Sequence, residues 1–265
     1  MEWFQLILAG LGVGLLIGLT GVGGGSVMTP LLILGWGVSP LTAVGTDLLF
    51  AAGTKAGGLW PLWRLRRIPW AVVGWMALGS VPVSGLTVWW MSHQLHNALG
   101  TVESLVKLSL GVALLLTAGV TLYKALQGTT FTPAQALAPT GAETGTDRHP
   151  GLTVALGAVI GALVSLTSVG AGALGMTALL LLYPRLPLPR TVAADIAHAV
   201  PLTLVAGLGH SLLGHVDWAL LSALLLGSIP GIWLGTQWVH RLPARLSRLV
   251  LSLVLALAGS KLVGM

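Results

Sequence analysis

The sequence predicts an all-α, polytopic membrane protein built of two inverted-topology repeats, each a glycine-bent helical hairpin followed by three transmembrane helices. Three observations predict it. Hydrophobic residues make up 55% of the chain and charged residues 8%, so its apolar surface exceeds what a soluble globule of 265 residues would cover. The apolar residues fall into blocks of membrane-spanning length, and the second set of blocks echoes the first. The basic loops, finally, fall at different places in the two halves.

The blocks run in order from Trp3 to Trp36, Pro40 to Trp60, Trp70 to Met91, Leu105 to Leu126, Gly151 to Tyr183, Thr191 to Leu213, Trp218 to His240 and Leu249 to Val263. Most approach the roughly 20 residues that one crossing needs. The first and fifth are longer. As a helix, Gly151 to Tyr183 would reach roughly 50 Å, too long for one crossing of about 30 Å and too short for two. A hairpin of two shortened helices fits that length, with its tip at Gly21 to Gly25 in the first half and Gly170 to Gly175 in the second. The amino end carries Glu2 where a signal peptide has Lys or Arg, so it reads as retained. Trp3, Trp36, Trp60, Trp63, Trp70, Trp89, Trp90, Trp218 and Trp238 sit at block edges and read as interfacial anchors.

The halves repeat each other. Leu19 to Leu34 (LTGVGGGSVMTPLLIL) matches Leu166 to Leu182 (LTSVGAGALGMTALLLL). Val44-Gly-Thr-Asp47 matches Val192-Ala-Ala-Asp195, and Gly79-Ser-Val-Pro82 matches Gly227-Ser-Ile-Pro230, the last two pairs both 148 positions apart. Residues 1–126 form the first repeat, 151–265 the second, and the polar stretch 127–150 a flexible cytoplasmic linker. In the first half Arg64, Arg66 and Arg67 lie between blocks two and three. The second half instead places Arg185 and Arg190 between its first and second blocks, and Arg241, Arg245 and Arg248 between its third and fourth. If every basic loop faces the cytoplasm, the halves insert upside down relative to each other.

Glycine at membrane depth is explained by that arrangement. Non-helical backbone is tolerated there only where protein or a water-filled cavity satisfies it, and glycine permits the bend. A helix restarts after each bend, near Ser26 and Ala173, with unsatisfied N–H groups and a positive dipole end facing it. Two such ends meeting near the midplane would form an anion site. The candidate binding residues are Thr20, Gly21, Gly23, Gly24, Gly25 and Ser26 in the first bend and Thr167, Ser168, Gly170 and Gly172 in the second. The competing reading is that these glycines only let helices pack closely. Dinucleotide and P-loop readings fail, since Ser26 stands where G-x-G-x-x-G needs glycine and no lysine is near.

Asp47 and Asp195 hold matched positions inside apolar blocks, where an ionisable group is functional or tightly paired. Proton carriage, coordination of a coupling cation, and holding of the opposite bend all fit. Lys55 either attracts an anion or snorkels to the interface. His198 shares a face with Asp195, and His210 lies nearer the block exit; a structural role is open to both. Pro82 and Pro230 are expected to kink the third blocks. Asp47, Asp195, His198 and Lys55 are the candidate coupling or gating residues.

The segments GVGGGSVMTPLLIL, SPLTAVGTDLL, LTSVGAGALGMTALLLLYPRLP, ADIAHAVPLTLVAGLGH and LLLGSIPGIWLG together resemble the sulfite exporter TauE/SafE family, also called the toluene sulfonate uptake permease family. The resemblance spans nearly the whole chain outside the linker. It implies a permease of the bacterial inner membrane that moves sulfite, organosulfonates or related anions, most often outward and driven by protons, by alternating access. A passive anion channel on the same scaffold is the alternative. No catalytic motif, cysteine or metal-ligating pattern appears, so neither an enzyme nor a cofactor is expected. The expected partners are a small sulfur-containing anion, protons, the lipid bilayer and, for assembly, a second copy in a homodimer; nucleic acid is not among them despite the +6 net charge.

Overall fold

In a computed structural model the described residues are 3–20, 25–64, 68–97, 99–126, 149–238 and 244–264. They form ten α-helices and, among the described residues, no strand. A chain in lipid must satisfy its backbone polar groups within each segment, which only helices or closed barrels achieve. The helices are α1 (Trp3–Thr20), α2 (Gly25–Trp36), α3 (Pro40–Arg64), α4 (Trp70–Asn97), α5 (Leu99–Leu126), α6 (Pro150–Thr167), α7 (Ala173–Leu182), α8 (Leu188–Leu212), α9 (Trp218–Trp238) and α10 (Ala244–Val263). Five of them, α4, α5, α6, α8 and α9, contain stretches long and apolar enough to cross a membrane. The chain is a multi-pass membrane protein.

The fifth block divides as its length requires. Pro150 opens α6 at a position where its missing N–H is no loss. The helix stops at Ser168, which turns left-handed at φ 58° and donates its N–H to the Val164 carbonyl at 2.7 Å. Gly170, at φ +115°, occupies backbone space that side chains rarely enter. The Gly175 N–H then bonds the Gly170 carbonyl at 2.9 Å and α7 is under way. The interruption is therefore Ser168–Gly172, shorter than the expected Gly170 to Gly175, because Ala173 through Gly175 already form the first turn of α7. Glycine at 175 serves a different purpose: a Cβ there would sit 2.7 Å from Asp195 Oδ1.

Contacts along α6 and α7 make them an antiparallel hairpin. Leu163 lies against Gly170 at the tip, Ile160 beside Gly175 further down, and the Thr153 and Tyr183 hydroxyls meet at 2.5 Å at the base. The chain returns to the side from which it entered. The first block divides likewise into α1 and α2, but Gly21, Gly23 and Gly24 lie outside the described residues, as does most of the linker, residues 127–148. α2 has 12 residues and α7 has 10, so each spans roughly half of a hydrocarbon core about 30 Å thick.

The main helix interfaces join the two halves: α1 with α9, α4 with α6, α3 with α8, and α5 with α10. Glycines allow the closest of these. Gly10 and Gly14 meet the backbone of Leu224 and Ser228, and Gly227 and Gly231 meet that of Ile7 and Leu11. In the matching seam Gly157 and Gly161 meet Met76 and Ser80, while Gly79 meets Val154. Such small-residue crossings are how membrane helices gain van der Waals contact where no hydrophobic effect drives them together. Both of these seams run parallel. By contrast α3 and α8 are antiparallel, with Gly45 against His210 and Gly207 against Leu49, and so are α5 and α10, with Gly111 against Val263 and Gly259 against Leu115. Pro82 and Pro230 lie inside uninterrupted helices.

Candidate functional site

A small cavity lies where α2, α3, α5, α8 and the α6–α7 bend converge. Its wall is made by Ser26, Ala51, Lys55, Thr117, Thr203 and the bend residues Ser168, Gly170, Ala171, Gly172 and Ala173. Its free volume is about 10 Å³, close to the space of one water molecule. Ser26 is in the first turn of α2 and Ala173 opens α7, so the starts of two helices from different halves border one space. Each contributes partial positive charge and N–H groups that have no carbonyl within their own helix.

Side chains add donors. The Lys55 ammonium donates to the Ala171 carbonyl, across from α3 to the bend. Ser168 Oγ and Thr117 Oγ1 are buried and, among the described residues, have no hydrogen-bond partner. The wall thus carries one ammonium group and two hydroxyls able to donate.

Two carboxylates stand behind this wall. Asp47 is fully buried and accepts a hydrogen bond from the Thr29 hydroxyl on Oδ2, while its Oδ1 has no partner among the described residues. The Ser168 side chain lies beside it, outside hydrogen-bond geometry. Asp195, also buried, approaches Gly175, and its Oδ1 too has no partner among the described residues. Lys55 acts electrostatically on both, on Asp195 more strongly. His198, one turn after Asp195, places Nε2 2.7 Å from Ser80 Oγ.

Of the expected binding residues, Ser26, Ser168, Gly170 and Gly172 line the cavity. Thr20 ends α1 and Gly25 opens α2. Thr167 is held by the bend itself: its hydroxyl donates to the Leu163 carbonyl at 2.7 Å and accepts the Val169 N–H at 3.1 Å. Lys55 points to the bend, where it lines the cavity and donates to the Ala171 carbonyl.

The family model described as "Sulfite exporter TauE/SafE" matches residues 6–262. The chain belongs to this family of membrane transporters. It is similar to three proteins of Bacillus subtilis (strain 168), each described as a probable membrane transporter protein. With YjnA it is 35% identical over 260 residues, covering 98% of this chain and 99% of that one. With YunE it is 25% identical, covering 99% and 98%, and with YdhB 24%, covering 93% and 94%. No solved structure matches.

For this TauE/SafE protein, sequence reading missed Thr29, Ser80, Thr117 and Thr203. Isolated hydroxyl residues in apolar helices usually bond their own backbone one turn back, as Thr203 does to the Ala199 carbonyl at 2.8 Å. Only burial without such a bond sets Thr117 apart, and that is a tertiary property.

Proposed function

We propose that this protein is a proton-coupled secondary transporter of small sulfur-containing oxyanions, sulfite or organosulfonates, working by alternating access in a bacterial inner membrane. The observation that carries the reading is the convergence of the α2 and α7 starts, one from each half, on a cavity that also holds the Lys55 ammonium and the hydroxyls of Ser168 and Thr117, which have no partner among the described residues. Helix starts and cationic or hydroxyl donors recognise oxyanions by charge and by the N–H and O–H groups they offer.

The fold is two inverted repeats. In support, the equivalent helices α3 and α8 cross antiparallel, as do α5 and α10, whereas repeats inserted in the same sense would set them parallel. The basic loops, if all cytoplasmic, require the same inversion. A cavity with room for about one water belongs to an occluded state, which opens to either side when the half-length helices α2 and α7 move against the longer ones.

Charge counting supports coupling. With Asp47, Asp195 and Lys55 all ionised the site carries one net negative charge, which repels an anion. One proton cancels it and a second makes the site positive. Anion and proton therefore bind together.

The test is flux in proteoliposomes with sulfite and an organosulfonate, with and without an imposed proton gradient. The parent protein responds to the gradient, and Asp195→Asn loses that response. Undiminished gradient-driven flux in Asp195→Asn would reject the coupling role, and flux independent of the gradient at rates far above a carrier's would indicate a channel.

A further inference from the structure

A file of buried polar groups runs along the seam of α4, α6 and α8, away from the cavity. It begins at His215, in the short connection between α8 and α9, whose ring centroid lies 6.4 Å from that of His210 near the end of α8. His210 Nε2 is 2.9 Å from the Ser165 carbonyl on α6. A carbonyl only accepts, so this nitrogen carries the proton and Nδ1, buried and without a partner among the described residues, is a bare acceptor. Ser165 Oγ is 2.7 Å from Ser84 Oγ on α4 and 2.8 Å from the Gly161 carbonyl; its single proton serves one of them at a time. Ser80 is one turn from Ser84 on the same face of α4, and its hydroxyl meets His198 Nε2 at 2.7 Å. His198 in turn stands one turn after Asp195. Ser80, Ser84, Ser165, His198 and His210 are each no more than 1% exposed.

Packing does not require this file, because the repeat supplies a control. The matching seam is made by α9, α1 and α3. There Phe50, fully buried, occupies the position of His198, and Ile232 that of Ser84. Ser228, the counterpart of Ser80, turns its hydroxyl to the Leu225 carbonyl of its own helix at 3.4 Å. At these matched positions one seam carries Phe50, Ile232 and a serine bonded within its own helix, while the other buries five polar side chains. Buried polar groups cost free energy unless every member is satisfied, and His210 Nδ1 is not.

We propose that this file is the route by which protons pass between the membrane side bearing the α8–α9 connection and Asp195; the inference rests on the proton-coupled reading above. Each group takes one proton and gives one up. His210 accepts at Nδ1 and releases from Nε2, which swings from the Ser165 carbonyl to the hydroxyl of the same residue. Ser165 passes its own proton to Ser84, a water spanning the turn of α4 carries one from Ser84 to Ser80, and Ser80 passes its own to His198 Nε2. His198 then releases from Nδ1 to the Asp195 carboxylate, which ends as the neutral acid. Charged groups bearing on the two ends are Glu103 and Asp217 near His215, and Lys55 and Lys124 near Asp195.

The experiment measures two quantities on full-length protein in proteoliposomes: sulfite-dependent proton entry, read with an internal pH dye, and sulfite counterflow, which exchanges anion without net proton movement. Ser80→Ala and Ser84→Ala are expected to lower proton entry at least about tenfold and to leave counterflow within about twofold. Ser228→Ala leaves both unchanged. Undiminished proton entry in Ser80→Ala and Ser84→Ala, with a coupled parent, overturns the route while leaving the transport reading intact. Equal loss of both activities assigns the file a structural role and also overturns it. A parent that moves sulfite with no proton entry defeats the coupled reading, and the route with it. Should one serine variant not fold, the other decides, since both lie on the same path.

Discussion

The Lys55 ammonium is hydrogen-bonded to the Ala171 carbonyl, which ties the middle of α3 in one half to the bend between α6 and α7 in the other. A lysine placed at such depth is costly unless paired, and here its neighbours are a backbone carbonyl and the charges of Asp195 and Asp47. Lys55→Met keeps the length of the side chain and removes both charge and donor. Anion affinity is expected to fall by at least about tenfold, since hydrogen bonds to charged groups contribute about 1.5–3 kcal/mol. Isothermal titration with sulfite checks it; unchanged affinity would remove Lys55 from the anion site.

The two carboxylates are not held alike. Thr29 donates to Asp47, whereas its repeat counterpart Thr177 donates to the Ala173 carbonyl of its own helix at 2.5 Å. Thr29→Val strips a buried carboxylate of its donor and is expected to destabilise the protein by about 1–3 kcal/mol. Thr177→Val removes only a local back-bond and is expected to stay within about 0.5 kcal/mol. Denaturation in detergent distinguishes them, and equal effects would mean that the Asp47 contact does not set the difference.

Glycines on the same helix differ sharply in what surrounds them. A Cβ on Gly10 would meet the Leu224 backbone, and one on Gly157 the Met76 backbone, but Gly12 has nothing within 4 Å. Gly10→Ala and Gly157→Ala are expected to cost about 1–3 kcal/mol through forced separation of the helices. Gly12→Ala is expected to be neutral or slightly stabilising, because alanine favours the helix. Melting temperatures of the three variants give the comparison.

The fold was legible in the sequence to the extent that it depends on solvent and length. Blocks of about 20 apolar residues gave the long helices, and the in-between length of Gly151 to Tyr183 led to the α6–α7 hairpin. The restart at Ala173 agrees with the sequence, whereas the tip lies at Ser168–Gly172 rather than Gly170 to Gly175 because glycine marks two different needs there: a positive φ at Gly170, and room for Asp195 at Gly175. The site was only partly legible. Ser26, Ser168, Gly170 and Gly172 were found from their place at helix breaks, whereas Thr117 and Ser80 become visible only when neighbouring helices are seen to leave them unpartnered or to pair them across a seam.

His215 lies in the α8–α9 connection, outside the spanning helices. Burial lowers its pKa from the usual 6.5, and Glu103 offsets part of that. The folded state therefore resists protonation where the unfolded state accepts it, so stability is lost as pH falls through the unfolded value. The melting temperature is expected to fall between about pH 7 and pH 5 more steeply for the parent than for His215→Gln. Identical slopes would place the pH response elsewhere.

Thr117 separates stability from function. Its hydroxyl is buried with no partner in the described structure, at the wall of the cavity, so it forfeits hydration without gaining a bond. Thr117→Val replaces it with a methyl group of nearly the same shape and relieves that penalty, so the empty protein is expected to melt at the same temperature or higher. An anion in the cavity would supply the acceptor that the hydroxyl lacks. The variant should then bind sulfite about 5- to 30-fold more weakly, the equivalent of about 1–2 kcal/mol. Stability and affinity moving in opposite directions is the expected result, measured by thermal melting with and without sulfite. A variant that loses both stability and affinity would show that the hydroxyl instead satisfies the protein, and that Thr117 is not part of the anion's surroundings.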